Sequence, residues 1–217
     1  MDTLSSAVTI PVAGAGLPAD LVVPADATGV VLFAHGSGSS RHSPRNTAVA
    51  RVLNGRSLGT VLVDLLTPEE ERVDERTAEL RFDIGLLGDR LTAIVDWMRA
   101  EPTLTRLPVG LFGASTGAAA ALVAAANRSD RVAAVVSRGG RPDLAGPALS
   151  QVRARTLLLV GGFDEQVRTL NEEALALLPE GVGELRVVPG ATHLFAEPGT
   201  LEQVADHAAD WFAGQLG

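Results

Sequence analysis

Leu111-Phe112-Gly113-Ala114-Ser115-Thr116-Gly117 is an apolar run that stops at a glycine-flanked serine and passes directly into the alanine-rich stretch 118–126. It reads as a strand, a very tight turn and a helix. Glycines two residues either side of the serine let strand and helix approach closely, and the serine takes the strained backbone of a nucleophile elbow. Such a turn lifts the Ser115 hydroxyl clear of the sheet. It also sets the hydroxyl beside the first turn of a helix, whose unpaired N–H groups and positive dipole end can steady a nascent anion. The same spacing suits a plain Gly/Ser turn, so the rest of the chain has to decide between the two.

Outward from that point, apolar runs alternate with helical patterns. Upstream, 6–12 and 17–23 are short β-rich runs around Ala-Gly-Ala-Gly, an antiparallel hairpin for a sheet edge, with Pro11, Pro18 and Pro24 at positions an edge tolerates. Residues 30–34 form a fully apolar strand that runs into His35-Gly36-Ser37-Gly38-Ser39-Ser40, a glycine-rich loop. Ser43 followed by Pro44 marks a helix start, with Ala48, Val49, Val52 and Leu53 as its apolar stripe. A strand over 60–65 follows, then a mixed-charge run over 69–76 that reads as a solvated loop or helix face. Ile84, Leu87, Leu91, Ile94, Val95 and Met98 recur at helical spacing. Beyond the elbow come strands over 132–137, 156–161 and 185–188, a helix over 166–178, and a C-terminal helix with Thr200 and Gln203 in capping-box spacing. The alternation predicts an α/β fold: a mainly parallel sheet of about eight strands with helices on both faces and ligands gathered at the strands' C-terminal ends.

Composition narrows the chemistry. The 217 residues are 46% hydrophobic, enough for one substantial core, so a single domain over 1–217 is the simplest organisation. A net charge of −8 without any basic run argues against a nucleic-acid partner. Cysteine and lysine are both absent, which removes thiolate nucleophiles, thiolate metal sites and Schiff-base chemistry. No apolar run is long enough for a membrane span, and no positively charged leader precedes Arg41, so a cytoplasmic protein without a membrane partner is expected. Homo-oligomerisation is left open.

A serine nucleophile needs a base and an acid that orients the base. Asp164 follows the strand over 156–161 through Gly161-Gly162-Phe163, and His193 follows the last strand through Pro189-Gly190-Ala191-Thr192. Both loops leave strand ends on the Ser115 side of the sheet. Asp164 also suits a helix cap, and Asp143 stands in reserve as the acid. Among the other histidines, His35 belongs to the glycine-rich loop, His42 lies beyond it and His207 sits on the last helix.

The set His35-Gly36-Ser37-Gly38, Gly113-Ala114-Ser115-Thr116-Gly117, Gly162-Phe163-Asp164 and Gly190-Ala191-Thr192-His193, in this order along nearly the whole chain, resembles the α/β-hydrolase superfamily. More narrowly it is similar to the small dienelactone-hydrolase-like branch. The resemblance implies a Ser115 nucleophile, a His193 base held by Asp164, and an oxyanion hole from the backbone N–H groups of Thr116 and Ser37. It implies a serine esterase acting on a small ester or lactone through an acyl-enzyme, without cofactor or metal. A thioesterase, peptidase or acyltransferase on the same triad, and a non-catalytic binding scaffold, are the alternatives. The typical dienelactone hydrolase carries a cysteine nucleophile where this chain has serine. Only 138–155 separate the sixth and seventh strands, too few for a separate cap domain, so an open site is expected. Arg41, Arg45 and Arg138, with Arg141, fall in loops near its mouth and are candidates for binding a substrate carboxylate or phosphate, or for ion pairs with nearby acids.

Overall fold

The computed structural model describes residues 3–217 as one eight-stranded sheet in the order β1-β2-β4-β3-β5-β6-β7-β8. The strands are β1 (Leu4–Val12), β2 (Ala15–Val23), β3 (Gly29–Ala34), β4 (Leu58–Val63), β5 (Val109–Ala114), β6 (Val132–Arg138), β7 (Arg155–Gly161) and β8 (Gly183–Val188). Only the β1–β2 and β2–β4 pairings are antiparallel. From β4 to β8 every neighbour is parallel, so all of these strands end on the same edge.

Alternate side chains of the central strands enter two separate cores, as a period of two requires. On one side Val30, Leu32, Val61, Val63, Val109 and Leu111 pack beneath α3 (Ile84–Ala100) and α4 (Thr116–Asn127). On the other, Val31, Phe33, Leu58, Leu62 and Phe112 meet α1 (Pro44–Asn54) and α6 (Thr200–Leu216). The remaining helices are α2 (Pro68–Thr77) and α5 (Glu165–Leu177), and a 3-10 segment at Pro142–Gln151 replaces any cap. Among the described residues no helix is long and apolar enough to cross a membrane.

Two local expectations are corrected, and one left open is decided. The fourth strand runs over Leu58–Val63 rather than 60–65, because Leu65 leaves the ladder for other partners. The Asp64 N–H donates to the Pro18 carbonyl at 2.9 Å, the Leu65 N–H to His35 Nε2 at 3.1 Å, and the Leu65 carbonyl accepts from Arg90 at 2.7 Å. The charged run at 69–76 is the helix α2, opened by Thr67 and Glu70, which exchange both bonds of a capping box. At the C-terminal helix that motif does not form. Gly199, at φ 79°, takes the cap position and Thr200 is already helical, its hydroxyl donating to the Glu197 carbonyl at 2.8 Å.

Candidate active site

Ser115 ends β5 with φ 50° and ψ −122°, a conformation that costs a non-glycine residue about 1–3 kcal/mol and that packing has to hold. The holding is steric. A Cβ on Gly113 would lie 2.4 Å from the Ala118 Cα, and one on Gly117 would lie 2.4 Å from the Ala34 carbonyl oxygen. Only hydrogen at both positions lets α4 start against the ends of β3 and β5. Two backbone bonds then lace the elbow to the loop after β6: Ser115 N–H to the Arg138 carbonyl at 3.3 Å, and Arg141 N–H to the Ser115 carbonyl at 3.0 Å.

The loops after β7 and β8 are joined in the same way. The Gly162 N–H donates to the Val188 carbonyl and the Phe163 N–H to the Ala191 carbonyl, both at 2.9 Å. This brings together two side chains 29 residues apart in sequence, and His193 Nδ1 lies 2.7 Å from Asp164 Oδ2. Asp164 occupies the cap position of α5, yet its carboxylate makes no capping bond and faces the imidazole instead. With Nδ1–H donated to the carboxylate, Nε2 is left as the acceptor, the tautomer a general base needs. The histidine loop is shaped by Glu197, which accepts from the Thr192 N–H at 3.1 Å and its hydroxyl at 2.6 Å. These bonds hold the Glu197 carboxyl below the usual carboxylate range, the hydroxyl contributing most. Phe195, at φ 53° and 1% exposed, anchors the loop in the core.

Ser115 and His193 share one cavity of about 180 Å³ with Gly36, Ser37, Arg45 and Arg138. Among the described residues Ser115 Oγ makes no hydrogen bond, and it borders the same cavity as the imidazole. The Thr116 N–H, at the first position of α4, has no helical acceptor and borders Ser115. Ser37 differs from expectation. Its N–H is not free but donates to Thr116 Oγ1 at 3.0 Å, because the threonine hydroxyl projects from the helix start across to the glycine-rich loop. His35, whose charged form burial disfavours, uses Nδ1 on the Gly36 carbonyl at 2.9 Å and Nε2 on Leu65, so it ties β3 to β4. His42 is exposed, 3.7 Å from Asp20, and His207 lies beside Arg186, both away from the cavity.

The four arginines separate into two kinds. Arg41 is taken by Asp64 and by Asp20 at 3.2 Å, and does not reach the cavity. Arg141 is taken by Asp143, bidentately at 2.9 and 2.7 Å, which also removes Asp143 as an orienting acid. Arg45 and Arg138 line the cavity with guanidinium nitrogens that have no partner. Ser43, Asn46, Gly139 and Leu194, which the sequence pattern does not single out for a site, also line its wall. The serine was visible there only as a helix cap. Among the described residues no group of three or more His, Asp or Glu side chains is placed to ligate a metal ion.

A strained serine turn after β5, an aspartate after β7 and a histidine after β8 on this sheet form the arrangement of an α/β-hydrolase. No family model matches the chain. The chain is similar to a dienelactone hydrolase from Anabaena variabilis, with 55% identity, 99% of both chains covered and a TM-score of 0.97. The chain belongs to the dienelactone-hydrolase-like branch of the α/β-hydrolases. The Est1E structure from Butyrivibrio proteoclasticus, 16% identical with a TM-score of 0.79 over 96% of this chain and 98% of that one, shares the fold. Proteins of two Mycobacterium tuberculosis strains, provisionally named phosphoribosyl transferases, are 58% identical over 207 residues. Those residues are 95% of this chain but 44% of theirs, so the chain spans less than half the length of these curated relatives.

Proposed function

We propose that this chain is a serine hydrolase that cleaves a small carboxylic ester or lactone through an acyl-enzyme. The observation that carries the reading is the 2.7 Å Asp164–His193 contact, with the imidazole opening onto the same cavity as a strained Ser115. Ser115 Oγ attacks the acyl carbon as its proton passes to His193 Nε2, and Asp164 stabilises the imidazolium. The tetrahedral oxyanion is met by the Thr116 N–H at the start of α4, with the helix dipole behind it. Ser37 supplies the second donor by turning its N–H from Thr116 Oγ1 to the oxyanion. Collapse breaks the ester bond, and the imidazolium gives its proton to the departing alkoxide. Water then attacks the acyl-enzyme, with the same two proton transfers, to release the acid and restore Ser115 Oγ–H.

The phosphoribosyl transferase name belongs to proteins of which this chain matches 44%, and it is not carried over to this chain. The test is hydrolysis of p-nitrophenyl acetate and butyrate by wild type and Ser115→Ala, together with fluorophosphonate labelling. Loss of about 10⁴-fold in kcat and loss of labelling are expected in the variant. Equal rates in the two proteins with Ser115 unlabelled would leave a binding scaffold.

A further inference from the structure

Arg138 is 8% exposed, sits at the end of β6 against the Ser115 backbone, and has an Nη1 that is buried without any partner. Burial and its neighbour Arg45 push its pKa down to about 10, so it stays charged at neutral pH. Arg45, in the first turn of α1, likewise has a buried Nε without a partner. Neither guanidinium has an acidic ion-pair partner among the described residues, although the chain carries 26 acids to 18 arginines. Arg45 borders a neighbouring cleft with Glu197 and Glu202 but makes no ion pair with either. Leaving a buried cation uncompensated is unfavourable, and a second cation beside it adds repulsion.

The backbone adds to this field. The α1 helix begins at the same cavity, its first turn holds no acidic residue, and Ser43 Oγ and carbonyl already bond the Asn46 and Thr47 N–H groups. Pro44 has no N–H, which leaves that of Arg45 as the free donor. The positive end of an eleven-residue helix therefore opens onto the same space as the two guanidiniums. Ser37, Ser39, Ser43 and Asn46 line the rest with hydroxyls and an amide. At about 180 Å³ the cavity has room for one compact anion and a short acyl stem.

We propose that Arg45, Arg138 and the start of α1 form a subsite for a doubly charged phosphate group carried by the ester whose carbonyl meets Ser115. A phosphate dianion matches the two positive charges and offers three oxygens to two forks and a helix N-terminus. A monocarboxylate would leave one guanidinium uncompensated. The substrate class rests on the acyl-transfer reading of Ser115; the anion subsite itself does not.

The experiment separates the two. Melting temperature is measured for wild type, Ser115→Ala, Arg138→Gln and Arg45→Gln in phosphate and in acetate at matched ionic strength and pH. Phosphate is expected to raise the melting temperature of wild type and Ser115→Ala alike, acetate to do so far less, and each arginine variant to lose the phosphate shift. Arg45 is only half-buried, so Arg45→Gln keeps the test open if Arg138→Gln does not fold. In turnover, the kcat/KM ratio of the p-nitrophenyl carboxylic ester of phosphonoacetate over p-nitrophenyl propionate should fall tenfold or more in each arginine variant. A wild type whose melting ignores phosphate, a phosphate shift that survives in both variants, or equal shifts from acetate and phosphate would overturn the subsite. Absent Ser115 labelling with an intact phosphate shift would overturn the acyl-transfer reading alone.

Discussion

Gly117→Ala puts one methyl group at the point where β3, β5 and α4 come closest. Its Cβ would stand 2.4 Å from the Ala34 carbonyl oxygen, 2.5 Å from that of His35 and 2.8 Å from the Ala34 carbonyl carbon. All three are backbone atoms at the buried end of a central strand, so no side-chain rotation relieves the overlap. Reaching even 3.0 Å needs a shift of 3.0 − 2.4, about 0.6 Å, of the loop that carries Ser37 relative to the elbow that carries Ser115. Overpacking of that kind costs about 1–3 kcal/mol, which for a chain of this length lowers Tm by roughly 2–4 °C per kcal/mol. Displacing the oxyanion donors by a large part of an ångström should cut kcat/KM roughly 10- to 100-fold, since a misplacement near 1 Å costs about 10²-fold. The assay is p-nitrophenyl butyrate turnover alongside thermal melting. Gly214→Ala in α6 is the control, because its Cβ meets nothing within 4 Å and a helical alanine should stabilise by about 0.5 kcal/mol with turnover unchanged. If Gly117→Ala melts and turns over like Gly214→Ala, the argument from close approach is wrong.

Exchanging Asp164 for Asn should lower kcat about 10⁴-fold through the wrong imidazole tautomer, whereas Asp143→Asn, which breaks only the Arg141 pair, should change it little. Steady-state kinetics on one ester checks both, and the reverse pattern would move the orienting role to Asp143. Glu70→Gln leaves Arg90, whose side chain is 9% exposed, facing a neutral amide and should cost about 1–2 kcal/mol near neutral pH. The hydrogen bonds from Arg90 hold the Glu70 carboxyl below its ordinary value. Its contribution is therefore complete above the unfolded carboxyl pKa and is lost as pH falls through the lower folded one. Melting curves of wild type and Glu70→Gln should converge on acidification, and a gap that widens would refute the assignment.

Much of this molecule is legible residue by residue. Fully apolar five- and six-residue runs between helical stripes, bounded by glycine and proline, have the pattern of strands covered on both faces, so β3, β5 and β7 are legible from the chain itself. Where boundaries slipped, long-range partners had intervened. Leu65 is as apolar as the strand residues before Asp64, but its N–H and carbonyl go to His35 and Arg90, so the strand stops at Val63. Thr200 has the spacing of a cap, but the Pro198-Gly199 turn supplies a left-handed glycine one residue earlier. Within the site, Ser37 was expected to have a free N–H, and only the packed structure reveals Thr116 Oγ1 in its way.

Local chemistry settled in advance the sheet class, the elbow and the identity of one serine, one aspartate and one histidine on the same edge. Glycine spacing, strand runs and loop residues are properties of neighbours in the chain, and they survive folding. Which charges remain uncompensated is not such a property. Arg41, Arg45, Arg138 and Arg141 are indistinguishable as loop arginines, and their fates depend on Asp20, Asp64 and Asp143 arriving from other parts of the fold. Pairing energy falls off steeply with distance and solvent, so only the tertiary arrangement could decide that two guanidiniums would be neutralised while the other two line the Ser115 cavity unpaired.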